Sequence, residues 1–455
     1  MDLEGLTRAL KGKGLDKTDI IEALVKEYMV YKEITYEQAC DLAEAVYDEC
    51  ILSEYNGQDN FISDLLTIPR SEVSVGKQGV GCRGAGDFFV HKLIGNVSHT
   101  SEKPFLAPDS LDDAGAVFIP EKLKGVSLED IIIVSKMEGM HSRLSDFPFI
   151  AGFHVTRAAL RDLLVKGSIP VSVFIDIHLG DDCDVAKLFD FISGVSAVCE
   201  LTGVPITAGS TLRIGGDMVI GTRITGGIGA IGVCDRILAR RDIKVGDKIL
   251  MTEGAGGGTI ATTAIYSGNH EVAKETMNIK FLEAVNTVID SDYLEDIRAM
   301  CDVTNGGLRG DLYEINYEAN VGVKVYEERV KTLVNKNVLQ LLEKTGVDYL
   351  GVSLDALLMY VKSEAAKPII NLLEGIGVKT VEIGEVNDTG DVVFVTQEGE
   401  EAVLPRFRES AYTKVKQVIG EETPDEEENM QKQVQKSAER SLAKRDRIIE
   451  WMRKS

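Results

Sequence analysis

The sequence predicts an α/β (α+β) protein of two domains, with a helical extension before them and a charged helix after them. Beyond residue 71, short β-branched runs alternate with glycine-rich segments and stretches of helical periodicity, which is typical of α/β folds. The alternation occurs twice, and a strand–turn–helix pattern opens the second round near residue 235. A length of 455 residues with 44% apolar residues allows more than one packed core.

Residues 1–70 are the predicted helical extension. Apolar side chains recur at helical spacing between Ala39 and Cys50. Thr35 is followed three residues later by Gln38, which is the spacing of a capping box at the start of a helix. No chemistry-bearing motif occurs here, so we expect a packing or interaction element.

The first α/β domain is expected over residues 71–235. Its β-branched runs predict strands at 131–134, 171–177 and 218–224. Its periodic stretches predict helices at 151–165 and 185–201.

The second α/β domain is expected over residues 236–405. It opens with the strand pattern VGDKILMT, the turn EGAGGG and the helix pattern TIATTAIY. Further strands are expected at 322–325, 356–361 and 391–395, and helices at 277–290 and 367–376.

Residues 406–455 form a charged helical tail. Its predicted helix starts with acidic residues and ends with basic ones, an order that complements the helix dipole. A thin apolar stripe runs along it from Val434 to Met452. Two interpretations stay open, a solvated or loosely docked helix and a contact for a partner.

The charge of the chain excludes several classes of protein. Fifty Lys and Arg against 73 Asp and Glu give a net charge of −23. Nucleic-acid binders and proteins that dock on anionic lipid carry a basic surface, so no nucleic acid and no membrane is expected as a partner. The seven cysteines contain no C-x-x-C pair, which favours reduced thiols and a cytoplasmic location.

Carboxylates follow or precede several of the predicted strands. Asp112 and Asp113 precede an apolar run, Glu138 follows the strand IIIV, and Asp162 lies near a helix end. Mg²⁺ prefers oxygen ligands and commonly uses one or two carboxylates together with phosphate oxygens. These residues are therefore candidate ligands for magnesium and a polyphosphate, although a single Asp at a turn is more often a turn residue.

A glycine-rich segment, VGKQGVGCRGAGD, is the second candidate feature. Its backbone N–H groups and the Arg83 side chain could contact a triphosphate. The segment lacks the P-loop pattern, and a mobile surface loop explains it equally well.

Three other features carry weaker signals. The 254–258 glycine turn before Thr259 could bind an anion or simply connect a strand to a helix. Asp302, in CDVTNGG, could supply a ligand or a cap. His141 lies near the acidic residues and is a candidate proton donor, with a hydrogen-bonded structural histidine as the alternative. No hydrolase signature such as G-x-S-x-G is present.

In chain order these segments resemble the superfamily of aminoimidazole ribonucleotide (AIR) synthetase, thiamine-monophosphate kinase, selenophosphate synthetase and the hydrogenase-maturation dehydratase. The chain is most similar to the selenophosphate-synthetase-related (AIR-synthase-related) proteins of unassigned substrate. The resemblance covers roughly residues 71–400 and rests on these segments: GVGCRGAGD, LDDAGAV, EGMHSR, PFIAG, LRDLLVKGSIPVSVFIDI, GVPITAGSTL, VGDKIL and CDVTNGGLRGDLYEI.

The resemblance implies a homodimer of two-domain AIR-synthase-like chains that binds ATP and Mg²⁺ between its halves. Implied metal ligands are Asp112, Asp113, Glu138 and Asp162. Implied ATP-binding residues are Gly79, Gly81, Arg83, Gly84, Gly86, Asp113, Glu138, Asp162 and Asp302. The candidate catalytic residues are Arg83, as a contact to the γ-phosphate, and His141, as the candidate proton donor named above.

Several residues depart from the family pattern, and these departures limit which of the family's activities is expected. Val80 stands where selenophosphate synthetases carry a reactive Cys or selenocysteine, and Arg83 replaces their Lys, so selenide chemistry is not expected. The chain ends WMRKS rather than in the Cys of the hydrogenase-maturation members. Lys166 stands where a small or apolar residue is usual.

The first hypothesis is an ATP- and Mg²⁺-dependent enzyme of an archaeal cytoplasm. It would transfer a phosphoryl group to an unidentified small molecule, or use ATP to activate a carbonyl or amide oxygen of that molecule. The second hypothesis is a non-catalytic nucleotide-binding or scaffold protein whose added helices recruit partners.

Overall fold

The computed structural model describes residues 2–81, 85–110, 114–123, 126–127, 129–215, 221–304, 306–407, 409–420 and 425–454. Over these residues the chain consists of two α/β domains with helices added at both ends, and this confirms the predicted fold class. None of the helices in these ranges is long and apolar enough to cross a bilayer.

The extension is a small helical bundle with its own apolar core. Its helices are α1 (Leu3–Gly12), α2 (Lys17–Tyr31), α3 (Tyr36–Leu52) and α4 (Asn60–Leu66). Buried side chains of α2 and α3, such as Leu24 and Ala43, form a cluster separate from the main core. The Thr35–Gln38 capping box begins α3, as its spacing predicts.

The first domain follows in chain order, and its elements are α5 (Val75–Gln78), α6 (Ala85–Val97), β1 (Ile132–Gly139), α7 (Pro148–Leu164), β2 (Ile169–Gly180), α8 (Ala186–Thr202), β3 (Ile206–Ile214) and β4 (Ile224–Cys234). The four strands form one sheet in the order β1-β4-β2-β3. β4 is antiparallel to both of its neighbours, and β2 is parallel to β3. Helices α7 and α8 pack together, and α7 lies across β1, β4 and β2.

The strand expected at 218–224 is displaced. Residues 218–220 lie outside the described residues, and β4 begins only at Ile224. The glycine-rich sequence ITGGIGAIGVC is not itself predictive of a strand, because glycine normally weakens one. Here the glycines allow β1 and β2 to lie close to β4. A Cβ at Gly226 would lie 2.0 Å from the Asp176 carbonyl oxygen, and a Cβ at Gly227 would lie 2.2 Å from the Glu138 carbonyl oxygen.

The second domain comprises β5 (Lys248–Thr252), α9 (Gly258–Tyr266), α10 (His270–Glu275), α11 (Lys280–Ile289), β6 (Ile297–Asp302), α12 (Gly307–Ala319), β7 (Gly322–Tyr326), α13 (Glu327–Lys331), α14 (Lys336–Thr345), β8 (Leu357–Val361), α15 (Ala366–Gly375), β9 (Thr380–Asn387), β10 (Val392–Val395) and β11 (Glu401–Val403). Its strands form a seven-stranded sheet in the order β11-β10-β7-β9-β5-β8-β6. The cores of the two domains are continuous, because α7 of the first domain packs on α9, α11 and β6 of the second.

Charged side chains dock the extension onto both domains. Glu4 pairs with Arg143 at 2.7 Å and also with Arg223, and Glu49 pairs with Arg143 at 2.6 Å. The Arg143 guanidinium lies 3.8 Å from the centroid of the Tyr266 ring, on α9 of the second domain. The bundle therefore bridges the two α/β domains through a buried ionic network.

The tail contains two helices, α16 (Lys414–Ile419) and α17 (Glu427–Lys454). α16 packs on α3, where Lys414 pairs with Asp48 and the Val415 N–H donates to Glu49. By contrast α17 is exposed along its described length, including the apolar residues Val434 (69%) and Trp451 (69%).

Candidate functional site

The last turns of α7 bring charged side chains to the junction of the two domains. Arg157 and Arg161 are four residues apart, so they share one helix face, which is buried against the second domain. Asp162 follows on the side of α7 that meets β1. A buried position for so many charges requires that they be paired with one another.

Lys136 connects two of the predicted site residues. Residues 136 and 138 point to the same face of β1 because side chains alternate along a strand. The Lys136 ammonium lies 2.8 Å from Glu138 Oε1 and 2.7 Å from Asp162 Oδ2. Burial raises the pKa of Asp162 to about 6, the charge of Asp302 adds to this, and the hydrogen bond from Lys136 acts in the opposite direction.

Two arginines of α7 bind two aspartates of the second domain. Arg161 lies 2.5 Å from Asp302 Oδ2 and 2.6 Å from Asp355 Oδ1. Arg157 pairs with the other oxygen of Asp355 and donates to the carbonyls of Thr276 and Asn278. All four charged side chains are nearly inaccessible to solvent, so this cluster fixes the relation of the two domains at the site.

Asp311 adds a further buried carboxyl next to Asp302. Burial raises its pKa well above the usual range, the charge of Asp302 adds to the effect, and the charge of Arg240 opposes it. Arg240 lies 3.9 Å from Asp311 and also pairs with Glu314. Burial therefore favours the neutral form of the Asp311 carboxyl, and the Arg240 guanidinium favours the charged form.

His141 is fixed by hydrogen bonds at both ring nitrogens. Its Nε2 lies 2.9 Å from the Tyr412 hydroxyl, and its Nδ1 lies 3.4 Å from Thr262 Oγ1. Burial, with the charges of Arg143 and Lys416, lowers the pKa of His141 to about 4. The ring is neutral near pH 7, which favours the structural alternative over a proton-donating imidazolium.

The described part of the glycine-rich segment is a turn between two helices. Gly79 ends α5 with a left-handed φ of 79°, and the Gly81 N–H donates to Asp87 at 2.7 Å. Gly86 already lies inside α6, where Gln78 donates to its carbonyl oxygen. Arg83 and Gly84 lie outside the described residues, so their roles stay predictions.

The predicted metal ligands are brought together only in part. Asp112 and Asp113 lie outside the described residues, whereas Glu138 and Asp162 share Lys136. Within the ranges described, no group of three or more His, Cys, Asp or Glu side chains is spaced to hold a metal ion. The metal assignment of Asp112, Asp113, Glu138 and Asp162 therefore stays a prediction.

A cleft of about 870 Å³ lies in the second domain and reaches Arg240, the residue 3.9 Å from Asp311. Its walls include Arg240, residues of α12 and the segment 406–416. Arg309 of α12 lies 4.2 Å from the centroid of the Phe407 ring, and Arg406 lies 4.0 Å from that of Tyr313. Guanidinium groups stacked on aromatic rings leave a cleft that presents both charge and flat apolar surface.

A smaller cavity of about 340 Å³ lies in the first domain. Asp87 and His91 of α6 line one side, and residues 206–211 of β3 line another. Asp87 also accepts the hydrogen bond from Gly81, so this cavity adjoins the glycine-rich segment.

Five residues of the charged cluster were not predicted from the sequence, namely Lys136, Arg157, Arg161, Asp311 and Asp355. Three of these were open to detection. Lys136 lies two residues before Glu138 in a predicted strand, and Arg157 and Arg161 have helical spacing in a predicted helix. Asp355 and Asp311 carried no local signal, because their partners are 194 and 71 positions away in sequence, in Arg161 and Arg240.

Comparison with known proteins places this arrangement in a family. The family description "AIR synthase related protein, N-terminal domain" matches residues 112–234, and "AIR synthase related protein, C-terminal domain" matches residues 244–397. An uncharacterised protein of Methanocaldococcus jannaschii is 43% identical over 100% of this chain and 98% of its own length.

More distant relatives have named activities. A selenide, water dikinase of Haemophilus influenzae is 23% identical over 56% of this chain and 70% of its own. The crystal structure of hydrogenase maturation protein HypE in complex with ATP matches with a TM-score of 0.58 and 18% identity. It covers 72% of this chain and 97% of that one, which shows a shared fold. With both domains matched and a relative 43% identical over the full chain, this protein belongs to the AIR synthase-related family.

Proposed function

We propose that this protein binds ATP with Mg²⁺ and uses it to phosphorylate a small molecule or to activate a carbonyl or amide oxygen of that molecule. The observation that carries the proposal is the cluster of Glu138, Asp162 and Asp302 at the domain junction, paired with Lys136 and Arg161. Phosphoryl transfer depends mostly on positioning and on neutralising charge, and a cluster of this kind supplies both.

Two relatives support the proposal that the bound nucleotide is ATP. One is by name a dikinase, and a protein of the same fold was crystallised in complex with ATP. Bound Mg²⁺ would neutralise phosphate charge, with Asp112 and Asp113 as the proposed ligands alongside the oxygens of Glu138 and Asp162 that do not contact Lys136. Arg83 and the Gly79–Gly86 backbone are the proposed contacts to the terminal phosphate.

The cleft lined by α12 and segment 406–416 is the proposed site of the acceptor molecule. A cavity of several hundred Å³ with convergent polar groups is typical of a small-molecule site. It reaches the charged cluster at Arg240, which pairs with Asp311 and Glu314. The Arg240 guanidinium provides hydrogen-bond donors that would orient groups of the acceptor at this end of the cleft.

A homodimer is part of the proposal. β1 is an edge strand, and its outward residues Ile133 (72%) and Met137 (55%) are exposed. An exposed apolar edge strand favours pairing with another chain. The same strand carries Lys136 and Glu138, so a dimer formed there would place the partner subunit close to the nucleotide site.

One observation favours the scaffold alternative. α17 exposes an apolar stripe along its described length, and such a helix suits the recruitment of a partner. The two functions are separated by measuring ATP hydrolysis together with an ATP–Mg²⁺ thermal shift. A shift with turnover supports the enzyme, whereas a shift without turnover across candidate acceptors supports the scaffold, and no shift contradicts both.

A further inference from the structure

We propose that Lys136 takes one cation position of the ATP site, so that the protein binds fewer divalent ions with each nucleotide than a site without this lysine would. The inference rests on the proposed function for its nucleotide, but the lysine and its two carboxylates are observed directly.

The position of Lys136 resembles that of a bound metal ion. Its ammonium lies within 2.8 Å of one oxygen from each of two carboxylates that come from different elements, β1 and α7. The three side chains are between 21% and 35% exposed, so the site is accessible from solvent and neither carboxylate is sealed in the core. A divalent ion bound by the same two oxygens would have to displace the ammonium group.

The charge balance around Lys136 leads to the same conclusion. At the domain junction four carboxylates, Glu138, Asp162, Asp302 and Asp355, face three cations, Lys136, Arg157 and Arg161. The two arginines neutralise Asp302 and Asp355. Glu138 and Asp162 would therefore carry two unpaired negative charges without Lys136, and they carry one with it.

Lys136 also has the capacity to contact a phosphate. An ammonium group has three N–H donors, and the contacts to Glu138 and Asp162 use two of them. Within the described ranges the Lys136 ammonium contacts these two carboxylates, so the third donor can reach a phosphate oxygen, and lysine is a common point-charge partner of phosphate. One side chain can thus replace a metal ion in both of its electrostatic roles, toward the carboxylates and toward the nucleotide.

The test counts divalent ions. Mn²⁺ binding is measured by titration with electron paramagnetic resonance on the full-length protein, with and without a non-hydrolysable ATP analogue. The variants are Lys136→Met and Lys136→Gln, which are neutral, Lys136→Arg, which keeps the charge, and Lys367→Met, which removes an exposed lysine of α15. Circular dichroism verifies that each variant is folded, and two neutral variants protect the test against a folding failure of one.

We expect the neutral variants to bind one more Mn²⁺ per chain than the wild type, with about tenfold or greater gain in affinity when the unit charge is removed. Lys136→Arg and Lys367→Met should match the wild type. An unchanged ion count and affinity in both neutral variants would overturn the inference. Failure of the proposed function would give a different result. The ATP analogue would then bind neither to the wild type nor to any variant, while the neutral variants would still bind more Mn²⁺ than the wild type in the absence of nucleotide.

Discussion

Asp355→Asn should lower the stability of the protein more than any exposed substitution. Asp355 is buried and binds both Arg157 and Arg161, with one carboxylate oxygen for each. Its φ of 55° is left-handed, a conformation that Asn tolerates well. The substitution therefore removes the charge while it keeps the shape and backbone of the residue.

The size of the stability loss depends on which partners Arg157 and Arg161 keep in the variant. Removing one partner of a buried ion pair costs about 3–5 kcal/mol. Arg161 keeps Asp302, and Arg157 keeps hydrogen bonds to the carbonyl oxygens of Thr276 and Asn278. Because these partners remain, the cost should lie at the lower end of that range, and we expect a loss of about 3 kcal/mol in the free energy of unfolding.

Urea denaturation followed by near-ultraviolet and by far-ultraviolet circular dichroism measures this loss, because the single tryptophan, Trp451, lies on exposed α17 and does not report on either α/β domain. The matched control is Asp388→Asn, a substitution of the same type at an exposed residue, which should change stability by less than about 0.5 kcal/mol. Because Asp355 links the domains, the two probes should separate in the variant if one domain then unfolds first. A loss below about 1 kcal/mol would refute the view that this cluster joins the domains.

Three further predictions concern the ligand, the assembly and pH. ATP with Mg²⁺ should raise the melting temperature, and Asp113→Asn should abolish that shift; a mutant that keeps the full shift would remove Asp113 from the site. Light scattering should show a dimer, and Ile133→Lys on the exposed edge of β1 should yield a monomer; a monomeric wild type would contradict the shared site. The folded pKa of His141, about 4, lies below its unfolded value, so its contribution to stability is lost as pH falls from about 6.5 through 4. Melting temperature should therefore depend less on pH in His141→Gln over that range, and an equal dependence would contradict the assignment.

Local patterns in the sequence were enough to predict the fold class and the family. The 151–165 and 185–201 stretches are helices α7 and α8 within a few residues, because each has an apolar face of helical period. β4 could not be placed from the sequence, since its glycines are explained by the neighbouring carbonyl oxygens rather than by strand propensity. α6 was missed for a similar reason, because the glycine-rich texture before it extends into its first turn at Gly86.

The charged cluster shows a different limit of sequence reasoning. Carboxylates such as Glu138 and Asp162 could be selected because their residue type matches the chemistry of metal and phosphate. The structure shows that Lys136 lies between them, and this depends on the packing of α7 against β1 rather than on any motif. Partners distant in sequence, such as Asp355 for Arg161, become visible only when both domains are in place.

A crystal structure with a non-hydrolysable ATP analogue and Mg²⁺ tests the central claim most directly. We predict that the triphosphate lies at the domain junction, within contact distance of Lys136 and close to Glu138, Asp162 and Asp302. The adjacent cleft along α12 should remain open for the acceptor. A nucleotide bound elsewhere, or no bound nucleotide at saturating concentration, would contradict the proposal that this cluster is an ATP site.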